Sequence, residues 1–445
     1  MNTIQPRLPK GMRDILPGRM VLRQHVLGIL ERTFAEFGFE PLITPAVELS
    51  EILLGKYGSD SEKLVFMVEH PGGKESLALR YDLSVPLSRV VAQYPELPKP
   101  FRRYQIAPVW RAERPQKGRY REFYQCDADV VGSSSMLADA EIIALIFTIL
   151  RRLGFEHFAI LINDRKILKG VGQYAGVPEL RFPDLWRTID KLDKIGEPAV
   201  RAELLTAGLE ARSVDRVLGV LRPDGGTGDP GEAGLEVLKR ELGEYPLAVE
   251  GITELQELLQ YLPALGVDGR RYRVDLGMVR GLDYYTGPIY ETLVEEPRIG
   301  SITGGGRFDG LVGKFSAQSL PATGTTIGIE RIIDVMEELK MGPPSLGATS
   351  VQVLVTVFAP DMLDHSLRLL TELRNGGLRC ELYYGNDSLG NQIRYALKRG
   401  MPLVVIAGPD EVAKGQVTVR DLRSKQQTQF AREKAVEAVR QCLAG

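Results

Sequence analysis

Cysteine is scarce in this chain, and its scarcity removes whole classes of chemistry. Cys126, Cys380 and Cys442 are the full set. They stand far apart, are odd in number and form no CxxC pair or Cys/His cluster. Neither a disulfide framework nor a structural zinc site is expected. These thiols read as ordinary core or surface groups. Long apolar runs are missing too: nothing reaches the roughly 18 residues that a membrane span needs. The segment Met1–Met12 is polar and proline-rich and lacks the apolar stretch of a secretory leader. A soluble, cytoplasmic protein with no membrane partner is expected. An excess of one charge is lacking as well. Lys and Arg number 56 against 58 Asp and Glu, so the net charge is -2. A global pull towards polyanions is excluded, and any nucleic-acid surface must be a local patch. There is no internal repeat and no low-complexity tract.

What is present is an ordinary globular composition, 44% hydrophobic and 26% charged over 445 residues. That supports a sizeable core and more than one domain. Apolar positions Val21, Val26, Leu27, Leu30 and Phe34 fall near helical spacing and predict a helix over Met20–Phe37, with Gly38 as its stop. Phe39–Val47 reads as a strand interrupted by Pro41 and Pro45, hence an edge or interface element. Ser76–Tyr81 reads as a strand. Phe101–Arg111 and Phe123–Val131 read as two strands joined by a long polar loop. Met136–Leu153 is a strong amphipathic helix. From about Lys169 to Leu262 the pattern turns helical, with a Gly/Pro break at Pro223–Gly234. An inserted helical subdomain is the simplest account. Strand character returns at Tyr272–Leu276, Tyr290–Val294 and Ser301–Thr303, and Ile327–Leu339 reads as a helix. The stretch 337–350 reads as a linker. Beyond it the alternation of strands and helices predicts a compact α/β domain over 351–445.

Charge is concentrated in Lys99–Gln125. That stretch carries eight Lys/Arg (Lys99, Arg102, Arg103, Arg111, Arg114, Lys117, Arg119, Arg121) against Glu113 and Glu122. Aromatic residues Phe101, Tyr104, Trp110, Tyr120, Phe123 and Tyr124 interleave with them. By charge alone this could be a solvated basic hairpin. The order adds chemistry. Arg111 at a strand end can reach a phosphate. Phe123 can stack a base, and Glu113 can accept from an exocyclic amine. Two further segments stand out: Thr326-Ile327-Gly328-Ile329-Glu330-Arg331, which opens a helix, and the glycine-rich Gly304-Gly305-Gly306-Arg307-Phe308-Asp309.

At these residues the chain resembles the class II aminoacyl-tRNA synthetases. The Arg111–Phe123 hairpin is similar to their motif 2, the Gly328–Arg331 helix start to motif 3, and Pro45 after the first helix to motif 1. Val279-Arg280-Gly281-Leu282-Asp283-Tyr284-Tyr285-Thr286-Gly287 and Gly304–Asp309 resemble the two histidine-specific motifs of histidyl-tRNA synthetases. The likeness runs from Pro9-Lys10-Gly11-Met12-Arg13-Asp14 to the C-terminal domain. It implies a mixed α/β (α+β) fold: an antiparallel-sheet catalytic core over 1–336 with a helical insertion at about 169–262, a linker over 337–350, and an anticodon-binding α/β domain over 351–445.

The same resemblance implies activation of L-histidine with ATP and transfer to the 3′ end of tRNA(His), by a homodimer whose interface involves motif 1. Arg111, Arg280 and Arg331 are the implied catalytic residues. Arg111, Glu113, Arg119, Phe123 and Arg331 would bind ATP, with Arg331 at the γ-phosphate. Arg280 would work at the α-phosphate where other class members use a magnesium ion. Mg²⁺ would still ride on the outer phosphates, with no metal-ligating side chain assigned. Histidine would be held by Asp82, Ser84, Gln125, Asp129, Arg280, Tyr284 and Tyr285, with Asp129 and Tyr285 reading the ring. Arg114, Gln116 and Lys117 would meet the tRNA acceptor end. Two departures stand out. Asp82-Leu83-Ser84 replaces the Glu-Gly-Thr of some members, and Asp129 replaces a Glu found in many. Two rivals remain: the synthetase-like regulatory subunit of ATP phosphoribosyltransferase, and a class II synthetase for another amino acid. Against the first, that family usually lacks the C-terminal domain and the ATP-gripping arginines, which are all present here. Against the second stand the two histidine motifs. The tail, with 13 Lys/Arg against 10 Asp/Glu from Val351 onward, permits contact with an RNA backbone. An oligomerisation role is its alternative.

Overall fold

The computed structural model describes residues 4–54, 64–115, 118–221, 231–279, 284–343 and 349–444. The chain divides into two compact units, Met1–Arg13 with Val26–Met341, and Asp14–His25 with Gly342–Gly445. In the first unit the strands are β1 (Glu40–Pro41), β2 (Val47–Leu49), β3 (Phe66–Val68), β4 (Leu77–Leu79), β5 (Phe101–Trp110), β6 (Glu122–Val131), β7 (Phe158–Asp164), β8 (Tyr272–Val274), β9 (Pro288–Val294), β10 (Thr303–Arg307) and β11 (Ala322–Ile327). Eight of them form one sheet in the order β1-β5-β6-β11-β10-β9-β7-β8. It is antiparallel except at its rims, where β1 lies parallel to β5 and β8 parallel to β7. Strands β2, β4 and β3 make a small antiparallel sheet beside it.

Local sequence explains the main elements. The first helix, Pro17–Glu36, buries Val26, Ile29, Leu30 and Phe34 at helical spacing. Gly38, at φ 74°, lets the chain leave it, and Phe39 N donates back to Phe34 O at 3.0 Å. Prolines 41 and 45 hold the following segment to a two-residue edge strand. Ser135 caps the Met136–Arg152 helix by accepting from Leu137 N at 3.2 Å. That helix buries Ile142, Ile143, Ile146, Ile149 and Leu150 and packs on β6, β10 and β11. The described elements between β7 and β8 are all helices, from Arg165–Tyr174 through Pro246–Tyr261.

Three differences from the sequence expectation have physical causes. Gly304–Arg307, a glycine-rich segment with no strand signal, belongs to strand β10, paired with β9 and β11. Glycine is needed there by crowding, since a Cβ on Gly305 would overlap Gly324 O and the Tyr290 ring. Strand β11 was hidden in a run of small and β-branched residues without apolar alternation, and the helix expected from Ile327 starts at Ile329. Strand β7 is buried almost throughout, so it has no period of two to read.

The second unit carries a five-stranded sheet ordered β13 (Cys380–Leu382), β12 (Val353–Val355), β14 (Leu403–Ile406), β15 (Gln416–Asp421) and β16 (Gln427–Ala431). Strand β12 is parallel to both its neighbours, and the last three strands run antiparallel. Helices Leu363–Asn375 and Leu389–Arg399 provide the crossovers. The alternating faces of β12 and β14 enter two apolar clusters, one with Leu369 and Leu373, the other with Ala396. Strand β16 is polar and largely exposed, and the final helix begins at Ala435. Among the described residues no helix is long and apolar enough to cross a membrane.

Candidate active site

One cavity of about 970 Å³ opens on the large sheet of the first unit. Its floor is β6. Gln125, Asp127 and Asp129 lie two apart and all line the cavity, while the alternate residues Cys126, Ala128 and Val130 are buried. Asp129 faces Arg103 across β5 and Gly324 across β11. Gly324 makes space for it: a Cβ there would overlap the Asp129 carboxylate. The Arg103 Nη2 sits 2.8 Å from Asp129 Oδ2 and donates to Leu83 O at 3.0 Å. The contact with Asp129 lacks hydrogen-bond geometry, so it acts through charge. Arg103 is thus no solvated member of a basic hairpin but is fully buried.

The turn Asp82-Leu83-Ser84 forms one wall, at the start of the Ser84–Gln93 helix. Asp82 Oδ1 accepts from Val85 N at 3.2 Å, and among the described residues its Oδ2 has no hydrogen-bond partner. Burial pushes the Asp82 carboxyl up to about 7, against the pull of the Val85 amide and Arg111. Burial likewise pushes Asp129 up to about 7; Arg103 opposes this, while Asp127 and Asp82 add to it. Asp127 is also raised by burial, and Gln125 Nε2 lies 3.4 Å from both its oxygens. Gln125 Oε1 has no hydrogen-bond partner among the described residues. Tyr284 and Tyr285 close the pocket, their ring centroids 4.8 Å apart. Burial raises both phenols, so they stay protonated. This end is acidic and buried, with carboxylates in excess of cations.

The other end is cationic. Arg111 is anchored by donating Nε to Tyr81 O at 3.1 Å, and its guanidinium lies 5.1 Å from the Phe123 ring centroid. Glu113, Arg119 and Phe123 line the cavity beside it. Arg331 donates to Ser301 O at 2.6 Å and lines the far side. Gly328 is explained by packing: a Cβ would meet Ile302 O at 2.9 Å. Arg114 is exposed and is not among the lining residues. Arg280, Gln116 and Lys117 lie outside the described residues.

Sequence reasoning missed several neighbours. Arg103 and Asp127 gave no motif signal, although their alternation with Gln125 and Asp129 on paired strands could have revealed them. The opening segment braces the hairpin: Arg121 N donates to Gly11 O at 2.8 Å, and Arg13 sits 3.7 Å above the Tyr120 ring centroid and pairs with Glu330. Arg165, Lys169, Trp186, Arg187 and Lys194, from the helical stretch between β7 and β8, line one wall.

An acidic pocket joined to an arginine-flanked aromatic shelf suits an amino acid beside a nucleotide. Comparison with known proteins decides which kind. The histidyl-tRNA synthetase family model matches residues 11–332. The chain belongs to the histidyl-tRNA synthetase family. An anticodon-binding domain model matches residues 352–442. A relative named histidine–tRNA ligase from Aeropyrum pernix is 44% identical over 99% of both chains. One of the same name from Gloeobacter violaceus is 42% identical over 94% of both. A crystal structure of histidyl-tRNA synthetase from a Nostoc species superposes with a TM-score of 0.88 at 32% identity, covering 99% of this chain and all of that one. A Bacillus halodurans structure, titled as an ATP phosphoribosyltransferase regulatory subunit/histidyl-tRNA synthetase, has a TM-score of 0.74 at 21% identity, which speaks to fold alone.

Proposed function

We propose that this chain is a histidine–tRNA ligase, which forms histidyl-adenylate from L-histidine and ATP and then transfers histidine to the 3′ end of tRNA(His). The observation that carries the reading is the join of two unlike half-sites in one cavity: buried Asp82, Gln125, Asp127 and Asp129 at one end, Arg111 and Phe123 at the other. Full-length relatives named as ligases support it. The regulatory-subunit alternative is the weaker one, because Arg111 and Arg331 both line the cavity.

In activation a histidine carboxylate oxygen attacks the α-phosphorus, and the bond to the pyrophosphate oxygen breaks. Negative charge builds on the α-phosphate oxygens and on the leaving group. Fixed cations lower that barrier without reorganising at the moment of reaction. Arg111 is assigned to the α-phosphate and the histidine carboxylate, Arg331 to the γ-phosphate, and Arg280 to the opposite side of the α-phosphate. Phe123 stacks the adenine, while Glu113 and Arg119 flank it. Asp82, Ser84 and Gln125 take the α-ammonium group, for which the unpartnered Asp82 Oδ2 and Gln125 Oε1 are suited acceptors. Asp129 and Tyr285 take the two imidazole nitrogens, with Tyr284 as a wall. A side chain lacking those nitrogens leaves buried polar groups unpaired, which is costly and therefore selective.

No group of three or more His, Cys, Asp or Glu able to hold a metal ion occurs among the described residues. Magnesium is assigned to the outer phosphates of the nucleotide, as MgATP, in keeping with the family. In transfer, a terminal ribose hydroxyl of the tRNA attacks the histidyl carbonyl and AMP leaves. Arg114, Gln116 and Lys117 are assigned to the acceptor end, and the 352–442 domain to the anticodon. A cytoplasmic homodimer is the proposed state. Charging of tRNA(His) and of a non-cognate transcript with labelled histidine tests the second step. The proposal expects the first to be charged at least about a hundredfold faster, and equal rates would refute the tRNA assignment.

A further inference from the structure

The assignments above leave without a role a buried cation that faces the acidic end of the cavity. Arg103 stands at the third position of β5, fully buried, directly opposite Asp129. One terminal nitrogen, Nη2, does two things: it faces Asp129 Oδ2 at 2.8 Å and donates to Leu83 O at 3.0 Å. Leu83 is the middle residue of the turn that offers Asp82 and Ser84. A single rigid fork therefore spans the two parts of the amino-acid pocket. Among the described residues its Nε and Nη1 have no hydrogen-bond partner. A buried guanidinium left so unsaturated is kept by charge, and three carboxylates surround it: Asp82, Asp127 and Asp129 all feel it.

Asp129 is short, and it stands in a fixed place. Gly324 leaves room on one side and Arg103 holds the other. The groups facing it are Arg103 from β5, Asp127 from its own strand and Asp82 from the turn, with Tyr285 from the segment before β9. Of these only Arg103 favours the ionised carboxylate.

We propose that Arg103 is a positioning residue for histidine selection, tying the imidazole-facing Asp129 to the ammonium-facing turn at Asp82–Ser84 and, against Asp127, setting the charge of the pocket floor. The inference rests on the histidine reading of the cavity. Arg103 touches no reacting atom. Its loss leaves Asp129 mobile and protonated to higher pH, when it accepts from an imidazole N–H only as a neutral acid, without the charge-assisted bond of the carboxylate. Loss of Asp127 acts oppositely, because it removes a charge that keeps the proton on Asp129.

The test is steady-state ATP–pyrophosphate exchange over pH 5.5–9 with the full chain and the variants Arg103→Met, Arg103→Lys and Asp127→Asn. For Arg103→Met the expected result is a KM for histidine raised roughly 10- to 100-fold, as for loss of one charged contact, with the KM for ATP within about threefold of wild type. The acid limb of kcat/KM for histidine should move to higher pH. Arg103→Lys should restore the limb more than the KM, because it returns charge without the fork. Asp127→Asn should move the limb to lower pH, and it keeps the proposal exposed if Arg103→Met does not fold. Equal rises in both KM values, or a loss confined to kcat with unmoved limbs, would overturn the positioning role. Wild-type enzyme that exchanges no histidine would instead overturn the reading beneath it.

Discussion

Gly324→Ala puts the pocket geometry under direct strain. The added Cβ would overlap the Asp129 carboxylate and come within 2.8 Å of Ala128 O. The strands cannot part, because Gly324 is paired with Asp129 on one side and with Gly306 on the other. The carboxylate must therefore move, and with it the acceptor proposed for the imidazole. Overpacking of this kind costs about 1–3 kcal/mol of stability. Loss of one charged hydrogen bond costs about 1.5–3 kcal/mol of binding, or roughly 10- to 150-fold in KM for histidine. The KM for ATP should stay within about threefold, because Arg111 and Phe123 are untouched. The assay is pyrophosphate exchange with histidine and ATP varied in turn, alongside thermal unfolding to show that the variant is folded. A folded Gly324→Ala enzyme with a wild-type KM for histidine would refute the placement of the imidazole at Asp129.

Gly304→Ala is the complementary case. It lines the cavity with nothing within 4 Å of its would-be Cβ, so melting should change little while exchange falls at least about tenfold from a methyl group inside the substrate space; unchanged exchange would empty that space of substrate. Phe123→Ala removes the proposed adenine shelf and should raise the KM for ATP by the 1–3 kcal/mol typical of base–aromatic stacking, about 5- to 150-fold, with little change for histidine. Arg280→Ala should cut exchange by on the order of 10²-fold or more if it is a fixed charge at the α-phosphate; a near wild-type rate would remove that assignment. The pocket carboxyls also set a pH dependence. Asp129 titrates near 7 in the fold and near 4 unfolded, so it binds its proton more tightly when folded. Its contribution is full below about pH 4 and is lost as pH rises through about 7. Asp129→Asn should therefore gain in Tm relative to wild type between pH 5 and 8, and a constant difference would contradict the raised carboxyl.

Much of this was legible in the chain. Phe101–Trp110 and Glu122–Val131 alternate clearly enough to be read as paired strands, and Arg111, Phe123, Gln125 and Asp129 follow from their order along them. What escaped notice escaped for physical reasons. Strand β10 holds glycine at 305 and 306 because the neighbouring strands crowd those two positions, and a glycine run has no hydrophobic signal. Strand β11 reads Ala-Thr-Gly-Thr-Thr-Ile, and its Gly324 leaves the space that the Asp129 carboxylate fills. Arg103 was counted with surface cations because burial of a charge is a property of its partners, and those lie on another strand and a distant turn. The cationic wall of Arg165, Lys169, Arg187 and Lys194 comes from segments with only helical amphipathicity to show. The bracing of the hairpin by Gly11 and Arg13 spans more than a hundred residues of sequence.

The central claim is that the acidic half of the cavity selects histidine and the arginine half activates it. ATP–pyrophosphate exchange with each of the standard amino acids in turn tests both halves at once. The account predicts exchange with L-histidine alone, abolished by Arg111→Ala. Exchange with a different amino acid would contradict the assignment of Asp129 and Tyr285, and exchange with none would contradict the enzyme itself.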